Sequence, residues 1–109
     1  DVNYEALRDN IARLCSMRAL SGRRLTLLEL PMPRPIFFEG QRLPASYLNF
    51  YIGNRRVLVP TFNDPNDRVV LNILARVFPG REIVGIHATD LLLGLGGVHC
   101  VTQQEPSAA

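Results

Sequence analysis

At 109 residues the chain is long enough for one small domain, which can bury a real core but has little stability in reserve. Apolar residues make up 47% and charged residues 20%, a globular balance and not that of a disordered segment. The formal net charge is only +2, and the twelve basic residues, all arginine, are scattered along the chain, so composition gives no case for nucleic-acid or membrane partners.

No apolar run approaches the ~20 residues that span a bilayer, and no charged segment leads into the apolar core of a signal peptide; the cytoplasm is the expected compartment. In a reducing compartment the two distant cysteines, Cys15 and Cys100, are expected as free thiols. Neither belongs to a CxxC pair, and His87 and His99 lack metal-ligand spacing, so no metal site is expected.

In chain order, Asn3 can cap a helix over 4–17, with Ala6, Leu7, Ile11 and Leu14 on one face. Cys15 lies near that apolar stripe and reads as structural. Ser21-Gly22 ends the unit. Residues 25–30 are apolar at both faces and read as a buried strand. Pro31, Pro33, Pro35 and Pro44 make 31–45 an ordered loop or edge segment, with a polyproline linker as the alternative. Phe37 and Phe38 weigh against a solvated linker.

Residues 47–52 and 57–60 flank Gly53-Asn54-Arg55-Arg56, a hairpin signal with Gly and Asn available for positive φ. Asp64 or Asn66 caps a helix over 67–78, with Asp67 in its first turn and Val70, Leu71, Leu74 and Val77 as its buried stripe. Pro79-Gly80 stops it. A strand over 82–86, a helical turn within 88–93, a bend at Gly94, Gly96 and Gly97, and a last strand over 98–103 follow; 105–109 is a frayed tail. The fold class expected is α+β: one complete ββαβ unit plus part of a neighbour.

The chemistry-bearing candidate is the run from Gly94 to Gln104, in which three glycines precede Cys100. Glycines permit unusual dihedrals and close backbone approach. A cysteine after such a bend can be held among N–H groups that favour its thiolate. The same residue can equally be a buried core cysteine. On a strand, His99 and Cys100 would face opposite ways, which makes His99 a poor direct base. His87 reads as a surface or capping residue, Asp64, Asp67 and Asp90 as helix-start or solvated groups, and Asn49 and Tyr51 as strand-packing or turn residues.

Several segments in order resemble the agmatine deiminases and the related bacterial-type peptidyl-arginine deiminases: GLGGVHCVTQQEP at 94–106, PASYLNFYIGNRRVLVP at 44–60, TFNDPND at 61–67 and FPGREIVGI at 78–86, with residues 3–14 and LPMP at 30–33 before them. The resemblance implies the pentein fold, an α/β propeller of five ββαβ units, with 1–109 as the C-terminal segment of such a domain. It implies a catalytic Cys100, with Gly94, Gly96, Gly97 and His99 as site-shaping, substrate-binding positions. The implied reaction converts agmatine and water to N-carbamoylputrescine and ammonia through an amidino-cysteine, in putrescine biosynthesis, with no cofactor or metal. Implied partners are a small cationic guanidine and the remaining propeller units or another copy of the chain. Leu95 and Gly97 depart from the family pattern, where glycine and asparagine are common.

The carboxylates and histidine that the reaction needs have no matching motif in 1–109, so the isolated chain is expected to be inactive. The alternatives are a catalytically silent pentein module that binds a partner, or a peptidyl-arginine deiminase. Redox sensing by the thiol lacks a nearby resolving cysteine.

Overall fold

The computed structural model describes residues 3–94 and 96–107, so Leu95 and the last two residues of the expected tail fall outside it. Helix α1 spans Tyr4–Ser16. A small hairpin pairs β1 (Ile36–Phe38) with β2 (Gln41–Leu43). A three-stranded sheet follows, built from β3 (Tyr51–Ile52), β4 (Arg56–Thr61) and β5 (Glu82–His87), with helix α2 (Asn66–Val77) crossing between β4 and β5. Strand β4 is central, antiparallel to β3 and parallel to β5. This is the expected ββαβ unit, and the fold is α+β.

Apolar residues at helical and strand spacing build the core. Val57 and Val59 of β4 are fully buried, and Val70 and Leu74 of α2 lie over the sheet. Tyr47, Phe62, Ala88, Leu92 and Val98 complete the cluster. Val77, at the end of the expected stripe, stays exposed. Pro60 is buried within β4, but β3 pairs only as far as Leu58. It therefore sits where the strand has one neighbour, a position that tolerates a missing donor.

A carboxylate knot joins the start of α2 to the segments before it. The Asp67 carboxylate accepts the Tyr47 hydroxyl (2.7 Å) and the Phe62 and Asp64 backbone N–H groups (3.1 and 3.0 Å). Asp64 accepts the backbone N–H of Asn66 (2.9 Å) and that of Arg34 (2.8 Å), while the N-cap position of α2 is Pro65 and not the expected Asp64 or Asn66. Asn66 donates its side-chain amide to the Met32 carbonyl (2.8 Å). The proline-rich stretch is thus tied to α2 as an ordered segment. Burial first, then the Asp67 bond and the nearby negative charges, pushes the Tyr47 phenol far above its ordinary range, so it remains a donor.

Several expectations need correction: residues 47–50 lie outside β3, and Phe37 and Phe38 are exposed. Residues 25–30 form no strand; Leu25, Leu27 and Leu28 are exposed and only Leu30 packs on the core, because no described strand offers this stretch a ladder. Residues 98–103 form a 3-10 turn at His99–Val101 and not a strand. The β3–β4 turn uses no positive φ: such angles fall at Gly22, Glu39, Gly40 and Asn63. Gly53 is needed there for space, since a Cβ would lie 3.1 Å from the Arg56 carbonyl oxygen. The two-residue turn with both centres positive is Glu39-Gly40, joining β1 to β2. Finally, α1 buries none of its residues, so Cys15 is exposed and not structural. Asn3 occupies the N-cap position and gives its backbone carbonyl to Leu7 N–H (3.0 Å), without a side-chain cap. Among the described residues, no helix is long and apolar enough to cross a membrane.

Tyr47→Phe removes a buried bond to a charged acceptor while keeping the ring. It is expected to lower unfolding stability by about 1.5–3 kcal/mol, read as a lower urea midpoint with an unchanged slope. The Asp64 carboxyl is held below the usual aspartate range, first by the Arg34 backbone N–H and then by that of Asn66. A depressed carboxyl stabilises the fold above its unfolded pKa and loses that contribution as pH falls through the folded one. The stability difference between wild type and Asp64→Asn should therefore be constant near neutrality and shrink only on acidification below the ordinary aspartate range.

Candidate active site

Cys100 sits in the 3-10 turn His99–Val101, after the glycine bend. The bend is pinned to the core on both sides, by Leu92 in the 3-10 segment Asp90–Gly94 and by Val98. Hydrophobic burial therefore fixes the two ends of a short glycine-rich segment. The thiol that follows is exposed. Of the two readings left open by the sequence, a core cysteine or a presented one, the geometry is that of the presented one.

The sulfur is held from across the chain. Asn49 donates its side-chain amide to Cys100 Sγ (3.1 Å), and its side-chain oxygen accepts the Cys100 backbone N–H (3.3 Å). Its backbone carbonyl accepts the His99 N–H (3.2 Å). Three bonds from one residue thus lock the turn against the segment leading into β3. The Asn49 amide first, then the Gly97 N–H, holds the thiol below its usual range, outweighing the opposing loss of hydration. An exposed thiol whose charged form is favoured is the kind that attacks electrophiles.

Asn49 is itself placed by the core. It follows a turn in which Leu48 N–H bonds the Ser46 hydroxyl (3.2 Å) and Asn49 N–H bonds the Ser46 carbonyl (3.4 Å). In the middle of that turn the ring of Tyr47 is buried, tilted against Phe62 at 5.3 Å and tied to Asp67. The fold thus connects the start of α2 to the sulfur through Tyr47 and Asn49.

The three glycines differ. A Cβ on Gly96 would lie 2.8 Å from Cys100 Cβ and 2.9 Å from Sγ, a separation real side chains do not adopt. A Cβ on Gly97 would lie 3.1 Å from Asn49 Cβ and Cγ. Gly94 is exposed and a Cβ there would meet open space, so close approach gives it no role. His99 is exposed and its ring lies 6.4 Å from that of Tyr51. The strand argument for opposite faces does not hold on a 3-10 turn; the imidazole lies beside the Tyr51 ring. His99 and Asn49, with Ser46 and Leu48, line a shallow open depression beside the turn. His87 is exposed at the end of β5. Among the described residues no group of three or more His, Cys, Asp or Glu could hold a metal ion.

Asn49 is the residue that sequence reasoning missed. It lies 51 positions from Cys100, so no local spacing links the two.

This fold recurs in solved structures described as deiminases. The agmatine deiminase of Enterococcus faecalis superposes with a TM-score of 0.89 at 34% identity, over 100% of this chain and 34% of that one. A Porphyromonas gingivalis protein described as "Putative Arginine Deiminase" gives 0.92 at 39% identity, over 97% and 31%. A Legionella pneumophila (strain Paris) protein named "Putative agmatine deiminase" is 36% identical over 109 residues, 99% of this chain and 32% of that protein. The family model for Porphyromonas-type peptidyl-arginine deiminases matches residues 1–106. The chain belongs to that family. It spans about a third of the length of the curated relatives it matches.

Gly96→Ala is expected to displace the sulfur and cut the alkylation rate of Cys100 by iodoacetamide several-fold. Gly94→Ala should leave it within experimental scatter. Mass spectrometry of the two labelled peptides over time checks both; equal effects of the two substitutions would contradict the geometry.

Proposed function

We propose that this chain is the nucleophile-bearing part of a guanidine deiminase of the agmatine type. One observation carries the reading: Cys100 is exposed and its sulfur accepts a hydrogen bond from the Asn49 side-chain amide. The names of the Enterococcus and Legionella relatives support agmatine as the substrate. The family description names peptidyl-arginine instead, and all these substrates share the guanidinium that a sulfur nucleophile would attack.

In this scheme the Cys100 thiolate adds to the guanidinium carbon, forming a C–S bond. One C–N bond then breaks; the departing nitrogen takes a proton and leaves as ammonia, and an amidino-thioether remains. Water adds to the same carbon and gives up its protons, and the C–S bond breaks with its electron pair returning to sulfur. The product is a ureido compound, N-carbamoylputrescine from agmatine. A guanidinium stays protonated and is a weak electrophile, so carboxylates must hold it and a histidine must move protons. We assign those groups to the parts of the relatives' length that this chain does not span. There they would surround the sulfur within the remaining units of a pentein propeller. Substrate charge near the thiolate lowers its pKa further.

Both cysteines are exposed, so access alone cannot choose between them; only reactivity can. Chloroacetamidine, a planar cation with an alkylating carbon, is expected to modify Cys100 faster than Cys15. Equal labelling, or labelling of Cys15 alone, would overturn the assignment. The isolated chain is expected to form no ureido product from agmatine, and measurable product would overturn the division of the site.

A further inference from the structure

Asn49 occupies an unusual position. It sits in the turn before β3, yet three of its four polar contacts named above run to His99 and Cys100, and the fourth is its N–H bond to the Ser46 carbonyl. Its two side-chain heteroatoms make opposite kinds of bond to one residue. The oxygen accepts from the Cys100 backbone, which fixes where the residue stands; the amide donates to Sγ, which favours one charge state of the sulfur. A structural clamp would need only the first. The clearance at Gly97, where a Cβ would lie 3.1 Å from Asn49 Cβ and Cγ, keeps the asparagine close enough to make both.

We infer that Asn49 is a positioning residue for the Cys100 sulfur, which it holds with a reciprocal pair of hydrogen bonds and stabilises as the thiolate. The inference rests on the reading of Cys100 as nucleophile and adds a residue to that site. The amide donor serves the sulfur whenever it carries charge. That is so before attack on the guanidinium carbon, and again when the C–S bond of the hydrolytic intermediate breaks and the electron pair returns to Sγ. Between those events sulfur is bonded to carbon and neutral, and the donor is not needed. A lower-pKa thiol is a better leaving group and is more often ionised, while each thiolate is a weaker nucleophile, so near neutrality the amide favours the hydrolytic half and, less strongly, the first attack. Tyr47 extends the arrangement inward, because its buried ring and its bond to Asp67 set the turn on which Asn49 stands.

The test is the pH dependence of Cys100 alkylation by iodoacetamide on the whole chain, with Cys15 in the same molecule as an internal rate reference. Asn49→Asp keeps the size and the oxygen that meets the Cys100 N–H, but replaces the donor with a second oxygen. Its Cys100 midpoint is expected to move up. At neutral pH the rate should fall roughly three- to fourfold per pH unit of that movement, since the more basic thiolate is also the stronger nucleophile. Asn49→Ala, which adds no charge, should shift the midpoint in the same direction. Labelling of Cys15 should not change in either variant, which separates a local effect from unfolding. A wild-type Cys100 midpoint within the ordinary thiol range would overturn the nucleophile reading, and this inference with it. A low wild-type midpoint that neither substitution moves would overturn this inference alone.

Discussion

Asn49 and Cys100, separated by 51 positions, exchange hydrogen bonds in both directions, and the geometry of the whole candidate site follows from that exchange. A thiol at the end of a flexible glycine segment would ordinarily sample many positions, since glycine restricts the backbone least. Here the freedom is removed by burial of Leu92 and Val98 on either side and by three bonds from a single asparagine. The glycines are therefore needed for clearance more than for unusual dihedrals. The positive φ angles found at glycines fall at Gly22 and Gly40, and Gly96 and Gly97 are where an added Cβ would crowd its neighbours.

Stability and chemistry draw on the same interactions. The Asp67 carboxylate satisfies two backbone donors and the Tyr47 hydroxyl at the start of α2. Each of these groups lies in a region where an unpaired donor would be costly. The same bonds decide where the 46–49 turn lies, and so where the Asn49 amide points. The sulfur itself contributes little packing; it is exposed, and its environment is polar and not apolar. That combination separates it from a core cysteine, which is inert because nothing favours its thiolate.

The ββαβ unit was legible in the sequence because its elements carry strong local signals. The apolar spacing of Val70, Leu71 and Leu74, the Pro79-Gly80 stop and the Gly53-containing turn all lie where they were read. Other features were not legible, for physical reasons. Residues 25–30 have strand-like composition, but a strand needs a partner that composition does not reveal. The β1–β2 hairpin turns on Glu39-Gly40, and glutamate is a weak signal for a positive φ (φ 50°). The final 3-10 turn has the apolar content of a strand and differs only through its contacts with Asn49. At the site, Cys100 and Gly96 could be nominated from the glycine run. Asn49 could not, because its role exists only after the chain has brought two distant segments together. The exposed apolar residues of α1, Leu7, Ile11 and Leu14, carry the periodicity of a buried face without being buried in this chain.

The central claim is that the folded chain itself favours the charged form of the Cys100 sulfur. The most direct measurement is an NMR titration of the chain with 13C at the cysteine Cβ, following the Cys100 resonance in the native state and again in urea. The account predicts that the native Cys100 midpoint lies below its own midpoint in the unfolded chain. Coincident midpoints, or a native midpoint above the unfolded one, would contradict it.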